Sequence, residues 1–260
     1  MPPTLLFSDV DGTLLDREGR YAMRPTELAQ VRDRVTVILA SSRTILELSR
    51  NQRDLGLDGP VVAENGAVIA LPWDEATGDL GAHEVIDDRE WCVVAVGAPA
   101  QELRAEARAA AESLGTAFVD QHVAEPGVGR RYSLALRPAP GQAADSLDRL
   151  ANTLRRGGRA VASGGTWLCV TGGADKGRGV RTVLDCLRRL GRPIGRVAAA
   201  GDGDNDVPLL LAAERRFVIG HDDGTWHPAL RVLPRAECVP IPGVAGWREV
   251  IRQLAEPQEV

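Results

Sequence analysis

Asp9-Val10-Asp11-Gly12-Thr13 sets two carboxylates two residues apart, directly after an apolar run. Gly201-Asp202-Gly203-Asp204-Asn205-Asp206 repeats that arrangement near the other end of the chain. Between them stand Ser41-Ser42-Arg43, again after an apolar run, and Lys176. Carboxylates that converge on one place repel one another unless a cation lies among them. A hard divalent cation suits such oxygen donors, and magnesium is commonly held by one or two carboxylates together with a substrate phosphate. The plainer reading of each acidic run taken alone is a solvated turn. Calcium loops of the EF-hand kind need Gly at position 6 and Glu at position 12. Counted from Asp9 those places hold Leu14 and Arg20, and counted from Asp202 they hold Val207 and Ala213, so both fail.

These residues need elements that bring them together. Thr4 to Ser8, Val35 to Ala40 and Arg196 to Ala200 are short apolar runs of the kind that form buried parallel strands. Helices are expected over Arg24 to Arg34, with Pro25 in the first turn, and over Thr44 to Leu55, with Gly56 as the stop. Val61 to Leu71 reads as a hairpin turning at Glu64-Asn65-Gly66. Lys176 to Leu190, Asn205 to Ala213 and Val244 to Leu254 read as later helices, with a strand from Phe217 to Gly220. In open parallel sheets ligands bind beyond the carboxyl ends of the strands, which is where Asp9, Ser41 and Asp202 fall.

The texture differs between about residues 80 and 171. Helical spacing over Gln101 to Leu114 and Ala143 to Arg156 alternates with short strands at Trp91 to Val96, Thr116 to Val119, Tyr132 to Leu136, Ala160 to Ala162 and Thr166 to Val170. The expectation is an α/β core, residues 1–79 and 172–260, interrupted by an inserted α+β unit, 80–171. Residues suited to hinges lie at Pro72 to Gly81 and at Gly172-Gly173.

Composition excludes several classes of function. The formal net charge of −5 gives no overall basic face for nucleic acid. No apolar stretch reaches the roughly 20 residues that span a bilayer, and Met1 to Thr4 lacks the cationic start of a secretory signal, so a cytoplasmic protein is expected. Cys92, Cys169, Cys186 and Cys238 are far apart, which reads as reduced, mostly buried thiols. No Gly-Lys pair, strand-linked G-x-G-x-x-G or G-x-S-x-G is present, which removes the P-loop, dinucleotide and hydrolase-elbow readings. His83, His122, His221 and His227 show no metal or triad spacing, although His221 and His227 lie in late loops that could face the site. Lys176 is the only lysine among 31 basic residues. A lysine at a helix start is ordinarily just exposed. In so arginine-rich a chain, its retention suggests a place where a compact ammonium is required.

Asp9-Val-Asp11-Gly-Thr13, then Ser41, then Lys176, then Gly201-Asp202 with Asp206, resembles the four ordered motifs of the haloacid dehalogenase superfamily. The insert between the second and third motifs is similar to the large α+β cap of one branch, as is Asn65-Gly66-Ala67. The resemblance implies a Rossmann-like parallel-sheet core and a magnesium-dependent phosphatase. Asp9 would be the nucleophile and form an aspartyl-phosphate, and Asp11 would serve as acid and then base. Ser41, Ser42, Asn65 and Lys176 would hold the phosphate. Asp9, the Asp11 carbonyl, Asp202 and Asp206 would hold Mg²⁺, with Asp206 also orienting Lys176. An anionic nucleophile approaching an anionic ester has a physical need for such a cation.

Gly172-Gly173-Ala174-Asp175-Lys176-Gly177 resembles the lysine motif of the mannosyl-3-phosphoglycerate phosphatases, and Ser41-Ser42-Arg43-Thr44 their second motif, which usually has lysine where Arg43 stands. Gly164-Gly165 before Trp167 is similar to their Gly-Gly-aromatic segment. That resemblance implies a small glycosyl-phosphoglycerate as substrate, whose carboxylate Arg43, Arg130 or Arg131 could meet, although a basic pair such as Arg130-Arg131 is also an ordinary solvated surface feature. Other readings remain open: another sugar-phosphate phosphatase, or a phosphotransferase or phosphomutase, on the same fold, and a sugar-phosphate binder without catalysis, which would have no use for both Asp9 and Asp11.

Overall fold

The computed structural model describes residues 2–121, 129–143, 145–164 and 167–256, with the backbone alone described at 163 and 164. Met1, His122, Gly165 and Thr166, named above, lie outside the described residues, as does residue 144 within the expected helix Ala143 to Arg156.

The strands are β1 (Thr4–Ser8), β2 (Val35–Ala40), β3 (Val61–Ala63), β4 (Val68–Pro72), β5 (Ala82–Ile86) and β6 (Arg89–Ala95), then β7 (Phe118–Asp120), β8 (Ser133–Pro138), β9 (Ala160–Gly164) and β10 (Trp167–Thr171), then β11 (Val197–Gly201), β12 (Arg215–Gly220) and β13 (Ala236–Pro242). Nine of them form one sheet in the order β13-β12-β11-β1-β2-β3-β4-β6-β5. It is parallel from β13 to β3 and antiparallel beyond. The other four make a second, antiparallel sheet in the order β7-β8-β10-β9.

The helices are α1 (Pro25–Ala29), α2 (Ile45–Leu55), α3 (Ala100–Leu114), α4 (Ser146–Arg156), α5 (Lys176–Arg189), α6 (Val207–Leu211), α7 (Pro228–Arg231) and α8 (Gly243–Ala255). Side chains alternate across a strand, so β1 sends Leu6 to one face and Leu5 and Phe7 to the other. Leu6, Val37 and Leu39 pack with Leu48 of α2 and Trp247 and Val250 of α8. Leu5, Phe7 and Ile38 pack with Val180, Val183 and Leu184 of α5 and Leu209 of α6. A separate core joins α3 and α4 to the second sheet through Leu103, Ala107, Leu134, Leu150 and Leu168. This is the mixed α/β architecture expected, a parallel-sheet core bearing an α+β insert.

Helix α2 shows how local sequence sets these boundaries. Thr44 Oγ1 accepts from Glu47 N while Glu47 Oε2 accepts from Thr44 N, a reciprocal cap. Gly56, at φ 66°, ends the helix in the left-handed conformation that glycine adopts without a Cβ clash.

Three expectations need correction. The strand at Trp91 to Val96, expected in the insert, is β6 of the large sheet, pairing with β4 from Val68↔Ala95 to Pro72↔Trp91. Trp91 and Val93 pack on one face of that sheet and Cys92 on the other, so its apolar run is explained by two-sided burial. The first crossing to the second sheet therefore lies at 96–99, not at Pro72 to Gly81. There the two crossing segments touch: a Cβ on Gly172 would stand 2.1 Å from Ala98 N. Second, the helix expected over Arg24 to Arg34 stops at Ala29, because Gln30, Val31 and Arg34 turn back on carbonyls three residues earlier. Third, β5, α7 and β13 were not anticipated. β5 is largely exposed and lacks an apolar run, and β13, an edge strand, contains Pro240 and Pro242.

Candidate active site

In the sheet order β11, β1 and β2 are neighbours and parallel, so their carboxyl ends open at one edge. Asp202, Asp9 and Ser41 each follow one of these three strands. Helix α5, capped by Asp175 Oδ1 accepting from Arg178 N, begins with Lys176 directed at the same edge.

Lys176 Nζ donates to Asp9 Oδ1 at 2.6 Å and to Asp206 Oδ1 at 2.5 Å. Lys176 is 1% exposed, Asp9 6% and Asp206 0%. Asp206 Oδ2 in turn accepts from the backbone N of Asp202 and Gly203, at 3.0 Å each, which shapes the loop after β11. Thr13 Oγ1 donates to Asp202 Oδ1 at 2.8 Å. Gly12 is required at this point: its φ is +84°, and a Cβ would lie 2.5 Å from Asp202 Oδ2.

Oxygens of Asp9, Asp202 and Asp206 lie within 4.8 Å of one another. Of these three carboxylates the one ammonium bonds two, Asp9 and Asp206. Burial, followed by the charge of Asp206, pushes Asp9 well above the usual carboxylate range, with Lys176 opposing. Burial and Asp206 likewise raise Asp202, against the Thr13 hydrogen bond. For Lys176 burial pulls downward, but Asp206 and Asp9 outweigh it and hold the ammonium above its ordinary value. A divalent cation would relieve the remaining repulsion, and hard carboxylate oxygens fit Mg²⁺.

Asp11 points elsewhere. Both its oxygens accept from the Arg43 fork, Oδ2 from Nε at 2.9 Å and Oδ1 from Nη2 at 2.6 Å. Arg43 Nη1 reaches Asn51 Oδ1 at 3.4 Å, and Asn51 Nδ2 donates to Tyr21 Oη. Only a guanidinium presents such a planar fork, and a lysine at 43 could not make it. The carboxylates brought together are those of Asp9, Asp202 and Asp206, and the Asp11 side chain is paired with Arg43.

A cavity of about 550 Å³ opens over this cluster. Asp9, Asp11, Ser42, Arg43 and Asp202 line it from the core, and Arg130, Trp167 and Cys169 from the insert. Ser41 is buried behind Ser42, its Oγ accepting from Arg43 N at 3.3 Å. Asn65, at φ 55°, joins the last acidic loop by accepting from Asn205 Nδ2 at 3.2 Å. Arg130 and Arg131 part company, as successive residues entering a strand do. Arg130 is buried on the cavity and donates through Nη1 to Ser42 O at 2.9 Å. Arg131 turns away to Glu84, at 2.8 Å from Oε2, so its expected place in the site is corrected. His227 also lines the cavity, and His221 Nε2 lies 3.1 Å from Asp202 O. Thr13 and Trp167 entered the sequence reading only as parts of longer motifs. Glu64 entered it as a turn residue, yet its carboxylate is buried between core and insert.

Residues 6–91 match the model of the haloacid dehalogenase-like hydrolase family. The chain is 26% identical to a glucosyl-3-phosphoglycerate/mannosyl-3-phosphoglycerate phosphatase of Methanococcoides burtonii over 96% of each chain. It is 25% identical to a mannosyl-3-phosphoglycerate phosphatase of Pyrococcus horikoshii, over 83% of this chain and 90% of that one. Among solved structures, the sucrose-phosphatase of Synechocystis shares the fold with a TM-score of 0.63, covering 98% of both chains at 17% identity. The ordered motifs resemble those of the haloacid dehalogenase-like hydrolases, whose family model residues 6–91 match, and the fold is shared with the sucrose-phosphatase. The chain is a phosphoric monoester hydrolase, similar along its length to glucosyl- and mannosyl-3-phosphoglycerate phosphatases. No helix among the described residues is long and apolar enough to cross a membrane.

Proposed function

We propose that the protein hydrolyses a glycosyl-3-phosphoglycerate, mannosyl or glucosyl, in a Mg²⁺-dependent reaction through an aspartyl-phosphate on Asp9, in the cytoplasm. The observation that carries the mechanism is the Asp9–Lys176–Asp206 cluster at the strand ends, with Asp202 beside it. Four free cysteines accord with a reducing compartment.

Lys176 takes Asp9 Oδ1 and leaves Oδ2 without a hydrogen bond among the described residues. That oxygen attacks phosphorus, and the ester P–O bond breaks. Asp11, turned from the Arg43 fork and protonated, gives a proton to the leaving oxygen, then takes one from the water that attacks the aspartyl-phosphate, regenerating Asp9 and releasing phosphate. Asp9, Asp202, Asp206 and the Asp11 carbonyl would hold Mg²⁺, which when bound screens the charge between nucleophile and phosphoryl group. Ser41, Ser42 and Asn65 would hydrogen-bond the phosphoryl oxygens or the loops that carry them.

The core motifs handle phosphate, metal and proton, so selectivity for the rest of the substrate falls to the insert, acting as a cap. Arg130 and Arg43 on the cavity offer guanidinium groups to a carboxylate, and Trp167 an aromatic surface to a sugar ring. The test is phosphate release across a panel of sugar phosphates and glycosyl phosphoglycerates, with and without magnesium. Preferred release from a glycosyl-3-phosphoglycerate supports the reading. Preference for a simple sugar phosphate, or transfer of phosphate to a sugar hydroxyl, refutes it.

A further inference from the structure

The geometry points to Glu64 as the positioning residue that fixes Arg130 over the catalytic cavity, so that a residue carried by the insert is held by the core; this rests on the carboxylate-bearing substrate proposed above. Glu64 lies in the turn between β3 and β4 and is 2% exposed, at φ 51°. A left-handed backbone is unfavourable for a residue with a side chain, and such positions persist where surrounding structure holds them. Here the turn's own bonds do so, Glu64 N donating to Arg43 O at 2.8 Å and Asn65 N to Ser41 O at 2.9 Å.

The Glu64 carboxylate crosses to the insert and accepts three hydrogen bonds at the entry to β8. Arg131 N donates to Oε1 at 3.1 Å, Tyr132 N to Oε2 at 3.0 Å and Ser133 Oγ to Oε2 at 2.7 Å. The Ser133 hydroxyl then accepts from Arg130 Nη1 at 3.2 Å. Carboxylate, hydroxyl and guanidinium thus form one relay with its donors in order, and charge-assisted bonds of this kind are the strong ones. Arg130 Nη1 also meets Ser42 O, and Nε meets Gln121 Oε1 at 3.1 Å. Nη2 has no hydrogen bond among the described residues, and the side chain lines the cavity, 8% exposed. A buried guanidinium held on two sides with one amino group unspent is suited to a ligand carboxylate.

The same turn touches the catalytic helix. A Cβ on Gly66 would lie 2.0 Å from Asp175 O, so Glu64 is anchored beside the start of α5 and Lys176. Arg130 therefore keeps its register with the nucleophile through Glu64, without relying on the packing of the insert's outer helices.

The test uses the full-length protein with Mg²⁺ and two esters, 3-phosphoglycerate, which bears a carboxylate, and p-nitrophenyl phosphate, which does not. Glu64→Gln sets an amide N–H₂ against groups that are themselves donors and breaks the relay. The expected result is a roughly tenfold fall in the ratio of the two kcat/KM values, carried by KM for 3-phosphoglycerate, the size of one lost charge-assisted bond. In an Arg130→Ala background, Glu64→Gln should leave that ratio where Arg130→Ala put it. If Glu64→Gln does not fold, Ser133→Ala, which removes only the relay hydroxyl, should give the same selective loss in smaller measure. An unchanged ratio, or a fall of equal size in both backgrounds, overturns the role of Glu64 while leaving the substrate reading intact. A wild-type protein with no preference for the carboxylate-bearing ester overturns both.

Discussion

Lys176 Nζ donates to Asp9 Oδ1 across 2.6 Å, and both side chains are buried although 167 residues separate them in the chain. The same ammonium holds Asp206, so one point charge sets the spacing of two carboxylates. An arginine cannot take this place without moving them, because its guanidinium is planar and larger. Lys176→Arg should fold and lose turnover roughly 10²-fold, the scale of one missing electrostatic contact to the reacting group. Steady-state kinetics beside a thermal melt check this. Near-wild-type turnover would show that the lysine is incidental.

Magnesium removal gives a second prediction. The clustered carboxylates of Asp9, Asp202 and Asp206 repel one another, and burial raises Asp9 and Asp202. Chelation should abolish phosphate release, and magnesium should restore it. Added magnesium should also raise Tm by roughly 5–10 °C near a hundredfold excess over Kd, since a ligand that binds only the native state stabilises it. Asp202→Asn should blunt that rise. Calorimetry reads this without reference to activity, and an unchanged Tm on adding magnesium would contradict the metal assignment.

Asp11 and its Arg43 fork supply a third. The proposed proton donor, Asp11, matters most when the leaving oxygen is a poor leaving group. Asp11→Asn should cost roughly 10²-fold or more on an alkyl phosphate such as a sugar phosphate. On p-nitrophenyl phosphate, whose leaving group departs unprotonated, the loss should be much smaller. Equal losses on both esters would remove Asp11 from the proton transfer.

Arg130 and Arg131 are adjacent in sequence but face different partners, Ser42 and Glu84. Arg130→Ala should raise KM for 3-phosphoglycerate roughly tenfold, the cost of a lost bond to a charged group. Arg131→Ala removes a half-exposed ion pair worth about 0–1 kcal/mol and should barely change KM. Equal effects would mean that the carboxylate is read elsewhere.

The core was legible because its signals are local. Apolar runs of five or six residues, each ended by Asp, Ser or Gly-Asp, give β1, β2 and β11, and parallel pairing then brings Asp9, Ser41 and Asp202 to one edge. Lys176 stood out by composition alone. The insert was less legible. The Trp91 strand reads alike whether it lies in an insert or extends the core sheet, since two-sided burial leaves the same apolar pattern in either place. Arg130 and Arg131 are equivalent in sequence, and only the geometry entering β8 separates them. Glu64 carried no sequence signal beyond its turn, because two of its partners are backbone N–H groups, which every sequence provides, and the third, the Ser133 hydroxyl, is 69 residues away in the chain.

Covalent trapping tests the central claim most directly. The wild-type protein is mixed with magnesium and a radiolabelled phosphate ester, quenched in acid within a turnover, digested and mapped. The account predicts label on the peptide that carries Asp9, lost in Asp9→Asn, which should keep the wild-type fold and show no turnover. Full activity in Asp9→Asn, or label on another residue, would contradict it.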